Sequence, residues 1–317
     1  MNSITAMLQL LQARGIGFKT FEKIICKIDE IDVSLSEVLS FNKSDIMNIL
    51  DLDKEIVNSI IEAEELAKEL SEELTRHSIY MLLKNRSDYP ARLKNVLGSK
   101  DAPPVLFAQG NLNLLNIKSV GMCGARKPTE QGLKIAGESA SILAENNINI
   151  VSGYAPGVDM AAHTAALKSG GASTFVLAEG ILQFKIKKEV IDYLTDDNYL
   201  VISEFLPKLN WNAINSMQRN KTICGLSDAM ILIESGLEGG TFAAGKTALA
   251  FNCPLFAVEY SPPIDSARGN QYFLENGAIA LKNDISGKPD LKEIIKVINA
   301  RIESGLQTGS QYSLFSG

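Results

Sequence analysis

Between residues 117 and 281, short apolar runs alternate with helix-forming segments, and that alternation leaves the chain one fold class. The apolar runs are IKSVGMCG, INIVSG, STFVLAEG, YLVISEF, AMILIES, PLFAVEY and AIALK. The segments TEQGLKIAGESASILAENN, DMAAHTAALKSG, KKEVIDYLTDD and TFAAGKTALAFN read as helices between them. Strands joined by crossover helices pair in parallel. The expectation is therefore α/β: an extended Rossmann-like, doubly wound sheet. Ligands of such sheets bind outside the carboxyl ends of the strands, and the loops with chemically useful residues fall at that end.

Ahead of the sheet, residues 1–75 show apolar positions at helical spacing, which predicts a small all-helical domain. Its turn RGIGFKTFEKII places two glycines before a helix, with Lys19 and Lys23 nearby. It resembles a SAM-like or helix-hairpin-helix domain. A second domain is expected over 76–285, with an irregular connection from Arg76 to Asn116 in which VLFAQG is the one strand. Residues 286–317 read as a C-terminal helix and a polar, Gly/Ser-rich tail too poor in apolar residues to order itself.

Four segments carry the chemistry. GMCGARKPTEQG brings Gly124 to a strand end, follows it with Arg126 and Lys127, and supplies Thr129 as a helix cap. It lacks the G-x-G-x-x-G spacing of dinucleotide sites. VSGYAPGVDMAAHTAALKSGG offers Ser152, Gly153 and Gly157 ahead of a helix, where backbone N–H groups and the helix dipole favour an anion. Asp159 and His163 stand four apart, able to pair on one face. With no nucleophile beside them, they read as supports of the loop rather than an acid–base unit.

In SMQRNKTICGLSDAMILIESG, the residues Gln218, Arg219, Asn220 and Lys221 form a polar, cationic cluster before a strand. Arg219 can fork a phosphate, and Gln218 and Asn220 can bond a base edge or sugar. GLEGGTFAAGKTAL presents Gly239, Gly240 and Thr241 before a helix. Gly240, Gly245, Lys246 and Thr247 match a phosphate-loop spacing, but the second half of that match falls inside the helix.

Other function classes recede. The four cysteines include no C-x-x-C pair and there are two histidines, which argues against a metal site and a disulfide framework. The net charge of −6 argues against a non-specific DNA coat, though not against a local basic pocket. No apolar run is long enough to span a bilayer and the N-terminus is not a secretory signal, so a cytoplasmic protein with no membrane role is expected. No cofactor is called for.

The segments YPARLKNV, PPVLFAQGN, GARKPTEQG, SGYAPGVDMAAHTAAL, QRNKTICGLSDAMILIE, GLEGGTFAAGKTAL and ARGNQYFLENGAIAL, in this order from Tyr89 to Leu281, resemble the DNA-processing protein A (DprA/Smf) family. That resemblance implies a Rossmann-like domain, often preceded by a helical one. It also implies binding of single-stranded DNA, its protection and transfer to a RecA-type recombinase in DNA uptake or recombination, a homodimer, and no catalysis. It assigns the positive pocket to Arg126, Lys187 (with Lys185 in the same FKIK stretch), Arg219 and Lys221. The chain departs from the family's G-S-R at Gly124-Ala125-Arg126, from its R-N-R at Arg219-Asn220-Lys221, and from its G-S-x-x-T-A segment at Gly239-Gly240-Thr241-Phe242-Ala243. It shows no winged-helix segment.

The alternative is a nucleotide sensor or nucleotide-cleaving enzyme of the related lysine-decarboxylase-like fold. There a glutamate follows the threonine by three; here Ala244 stands at that place. Finally, Gln311, Ser313, Leu314 and Phe315 match a bacterial sliding-clamp-binding pentapeptide, so Gln311, Leu314 and Phe315 are candidates for a clamp contact.

Overall fold

Nine strands form one sheet in the order β1-β2-β6-β5-β4-β3-β7-β8-β9. The computed structural model describes residues 3–300, so the Gln311–Phe315 motif lies outside the described residues. Six helices come first: α1 (Ser3–Gln12), α2 (Phe18–Glu30), α3 (Leu35–Val38), α4 (Lys43–Leu50), α5 (Lys54–Glu62) and α6 (Glu64–Arg76). The side chains of Ser34 and Asn42 cap α3 and α4 by accepting from backbone N–H groups three residues on. Gly15, at φ +87°, makes the turn between α1 and α2. Lys19 and Lys23 stand exposed beyond it.

The helical region is not insulated from the sheet. Phe21, Ile28 and Leu74 share a core cluster with Ile79, Phe107, Phe175 and Val201 of the sheet. Ion pairs Lys84–Glu22, Arg86–Asp29 and Lys208–Glu73 fasten its flank.

The sheet proper runs β1 (Ile79–Leu83), α7 (Ala91–Asp101), β2 (Val105–Gly110), β3 (Ser119–Cys123), α8 (Glu130–Glu145), β4 (Asn149–Ser152), α9 (Val158–Lys168), β5 (Ser173–Val176), β6 (Tyr199–Ser203), α10 (Ala213–Leu226), β7 (Ala229–Leu232), α11 (Gly240–Ala250), β8 (Leu255–Val258), α12 (Arg268–Glu275) and β9 (Ile279–Leu281). Residues 292–300 form a further helix. β1–β2 and β2–β6 pair antiparallel and the other neighbours parallel. β3, β4, β5 and β7 are buried along their whole length, as strands covered on both faces must be. α8 packs on α9, while α10 packs on α7 and α11. The connection after β3 leads to β4 on one side and β7 lies on the other, so the switch of direction falls between β3 and β7.

Three expectations need correction. KKEVIDYLTDD is not a helix; it holds only a single tight turn, Ile191–Tyr193. Adjacent β-branched Val190 and Ile191 and the turn-forming Asp196-Asp197-Asn198 work against helix, and Val190 is pinned in the core. The connection before β2 is not irregular, since it contains β1 and α7. Gly98, at φ +69°, breaks the regular pattern of α7 and hides it from sequence. The cluster around Arg219 is not a loop but the interior of α10, whose start is capped by Asn212 accepting from Asn215 N at 2.7 Å.

Asn270 ties the ends of β7 and β8 together. Its Oδ1 accepts from Ser235 N (2.9 Å), and its Nδ2 donates to the carbonyls of Ile233 (2.8 Å) and Val258 (3.0 Å). Replacing it orphans several buried backbone groups at once. Asn270→Ala is expected to lower unfolding stability by about 2–3 kcal/mol, measured by urea denaturation; a change within experimental error would refute the role.

Candidate functional site

Three turns converge at the β3/β7 crevice, after β3, after β4 and before α11. Glycines set how closely the first two meet. Gly157 has φ +84°, and a Cβ there would run into the carbonyls of Ala125 and Arg126. Val158 N donates to Ala125 O at 3.2 Å. A Cβ on Gly124 would strike the Val158 side chain. These two glycines lock the β3 turn onto the start of α9.

Gly153 serves a different neighbour. The Arg219 guanidinium lies across its Cα, where a Cβ would overlap it. Arg219 reaches there from α10 and is only 7% exposed. Its Nε has no hydrogen-bond partner, and none of the ion pairs among the described residues includes it. Asp159, whose Oδ2 lies beside the same Gly153 Cα, and Glu179 attract it, while burial makes its charge costly. A buried guanidinium with spare donors is a standing demand for an anion. It opens onto a cavity of about 490 Å³, lined also by Arg126, Asn220, Gly239, Gly240 and Thr241.

The opposite wall is the turn before α11. Gly239 takes φ +89°, and both Gly239 and Gly240 face open space. No side chain caps α11, so its first N–H groups and the positive end of its dipole face the cavity. Asn220 Nδ2 donates to Gly240 O at 3.1 Å and holds the turn against α10. Gly245, Lys246 and Thr247 lie inside α11, so the phosphate-loop spacing is not a phosphate loop.

Trp211 stands at the mouth, 49% exposed, with the Arg126 guanidinium 5.3 Å from its ring centroid. Met217 and Ile214 are exposed beside it. Arg126, Trp211 and Arg219 also border a smaller cavity of about 130 Å³ that includes Tyr154 and Glu179. Lys187 lies over the Tyr154 ring at 4.3 Å, and its backbone N donates to Tyr154 Oη at 2.8 Å.

Two further residues support the site: Asp159, which lines the cavity, and His163 behind it. His163 is fully buried. Its Nε2 bonds the carbonyl of Gly153 and its Nδ1 lies 2.6 Å from Ser173 Oγ. A carbonyl can only accept, so the proton sits on Nε2. Asp159 accepts from Ala155 N at 3.4 Å. The two residues therefore do not pair with each other; each holds the loop separately.

Several candidates fall away from the cavity. Ser152 is buried and donates to Met122 O at 2.6 Å. Thr129 caps α8 by accepting from Gly132 N at 3.0 Å, and gives its hydroxyl and backbone donors to buried Glu234 at 2.8 and 3.0 Å. Lys221 turns outward to Asp101 at 2.8 Å. Gln218 is exposed. Lys185 is exposed, and Lys127 borders a neighbouring groove along α9. Sequence reasoning missed Trp211, Tyr154, Glu179, Glu204 and Glu234. Only Trp211, the one tryptophan of the chain, sitting in the polar stretch PKLNWNAIN, carried a signal.

The family model for DNA recombination-mediator protein A matches residues 80–287. The chain belongs to this family. The DNA processing protein DprA of Streptococcus pneumoniae is 34% identical over 192 residues, which are 60% of this chain and 66% of that protein. The DprA of Bacillus subtilis is 29% identical over 196 residues, 61% of this chain and 65% of the relative. The chain thus spans somewhat under two thirds of the length of these DprA relatives. The X-ray structure of S. pneumoniae DprA superposes with a TM-score of 0.70 and 25% identity, covering 89% of this chain and 95% of that one. The Helicobacter pylori DNA processing protein A superposes at 0.56 with 23% identity, covering 73% and 98%, and shares the fold. No helix among the described residues is long and apolar enough to cross a membrane.

The supports give the DprA-type floor a pH signature. Burial holds the His163 ring down to about 3. The unfolded chain binds this proton below about 6.5, the folded chain only near that depressed value. Between the two, acidification favours unfolding by about 1.4 kcal/mol per pH unit from this group. Asp159, Glu179 and Glu204, raised by burial, act with the opposite sign. His163→Gln can keep the bond to Gly153 O and should flatten the acid loss of stability between about pH 6 and pH 4. Urea midpoints across that range check it, and an unchanged slope would contradict it.

Proposed function

We propose that the chain binds single-stranded DNA, with a backbone phosphate at Arg219 and the Gly239–Thr241 turn and a base against Trp211. The observation that carries this reading is the buried Arg219 with unused donors, facing an uncapped helix start whose glycines stand open. A cationic slot beside an exposed aromatic ring is what an unpaired strand requires: a charge for the backbone and a flat face for a base. The family membership supports it, as does the H. pylori relative, which binds single-stranded DNA. Arg126 and Lys187 complete the positive field.

The role is one of binding rather than catalysis. His163 has both ring nitrogens engaged and no exposure, and buried Asp159 braces a loop. His163 therefore cannot serve as a general acid or base toward a bound nucleotide. We propose further that a dimeric protein protects the strand and passes it to a RecA-type recombinase during recombination or DNA uptake.

Arg219→Gln and Arg126→Ala should weaken binding to oligothymidine, each lowering the dependence of log affinity on log salt by about one unit. Trp211→Ala should cost about 1–3 kcal/mol of binding. Because Trp211 is the only tryptophan, strand binding should also quench the intrinsic fluorescence of the unmodified protein. Full affinity in a folded Arg219→Gln, Arg126→Ala double variant would sink the reading. Nucleotide release from any strand or mononucleotide, lost in Arg219→Gln, would favour an enzyme instead.

The motif at Gln311, Leu314 and Phe315 is proposed to dock on the replication sliding clamp. Two adjacent large apolar residues fit a preformed groove while the glutamine bonds at its rim. Calorimetric titration of the clamp should detect the full chain and not one ending at Gly309. Equal binding by both, or by neither, would remove the idea.

A further inference from the structure

We infer that the smaller cavity beside Arg219 is a base-reading subsite selective for guanine, with Glu179 as the residue that sets the preference; this rests on the single-stranded DNA reading. The cavity of about 130 Å³ has aromatic walls in Tyr154 and Trp211 and adjoins the phosphate slot through Arg126 and Arg219. It has room for one ring system and not for a nucleotide with its sugar.

Glu179 places an acceptor in a cavity that Arg126 and Arg219 also line. It is half-buried and lines the space, and among the described residues no ion pair includes it. Arg219 and Lys187 attract it; Arg219 lines both this cavity and the phosphate slot, and Lys187 lies on the Tyr154 ring. A carboxylate so placed repels the strand's backbone and accepts N–H donors. The Ser203 hydroxyl donates to the Glu179 backbone carbonyl at 2.6 Å, which fixes the main chain at this position.

The donor pattern then selects the base. Guanine presents N1–H and the N2 amino group side by side on one edge, a match to the two oxygens of a carboxylate. Thymine sets one N–H between two carbonyl oxygens, which face the carboxylate with like partial charge. Cytosine and adenine offer an amino group beside a bare ring nitrogen. Only guanine fills both oxygens without repulsion, while Trp211 or Tyr154 covers the ring face.

The test compares oligothymidine, the same strand with one guanine, and the same strand with one hypoxanthine, which keeps N1–H and lacks the amino group. Binding is followed by fluorescence anisotropy with the full chain. The guanine strand should bind about tenfold more tightly than oligothymidine, and the hypoxanthine strand should fall between. Glu179→Gln should bind oligothymidine more tightly, having lost a negative charge, and should lose the guanine advantage. Equal binding of guanine and thymine strands by the unmodified protein would overturn the subsite and leave strand binding standing; this arm needs no variant. A guanine advantage kept by Glu179→Gln would overturn the role of Glu179. Failure to bind any strand would overturn the single-stranded DNA reading and this one with it.

Discussion

A guanidinium withdrawn from water, its Nε without a partner, is the constraint around which this site is arranged. Arg219 could not sit where it does without Gly153, since a Cβ there would occupy the space of its head group. Asp159, beside the same Gly153, and Glu179 favour its charge there. Neither forms an ion pair with it among the described residues, so the charge is supported while Nε stays unbonded.

The glycines of the three turns divide by what they make room for. Gly124 and Gly157 admit protein, bringing the β3 turn against α9. Gly153 admits a side chain of the same molecule. Gly239 and Gly240 face open space, and there alone the missing Cβ leaves backbone for a ligand to approach. A glycine-rich strand end thus gives no sign of its purpose until its neighbours are known.

The sheet and its ligand-binding end were legible in the sequence because apolar runs and helical spacing are local properties. That Arg219, Asn220 and the Gly239-Gly240 turn would come together was legible for a related reason: few roles suit an arginine, an asparagine and a glycine pair beside strand ends. What stayed hidden depends on contacts distant in sequence. Nothing local says that Thr129 spends its donors on Glu234, that Lys221 turns to Asp101, or that Asp159 and His163 ignore each other. Trp211 lies outside every glycine loop, and only folding brings it to Arg126. The helix expected at KKEVIDYLTDD fails because adjacent β-branched residues and the Asp196-Asp197-Asn198 turn work against it and Val190 is held in the core.

The recessed position of Arg219, in a chain whose net charge is −6, separates the two stages of an encounter with a polyanion. On approach within about 10 Å the partner meets a net negative surface that repels it; within the slot it meets a buried cation that salt screens much less. Added salt should therefore relieve the repulsion that slows approach while loosening the contact that retards departure, so both rate constants rise together. A polyanionic partner would arrive slowly and be retained by its final contacts.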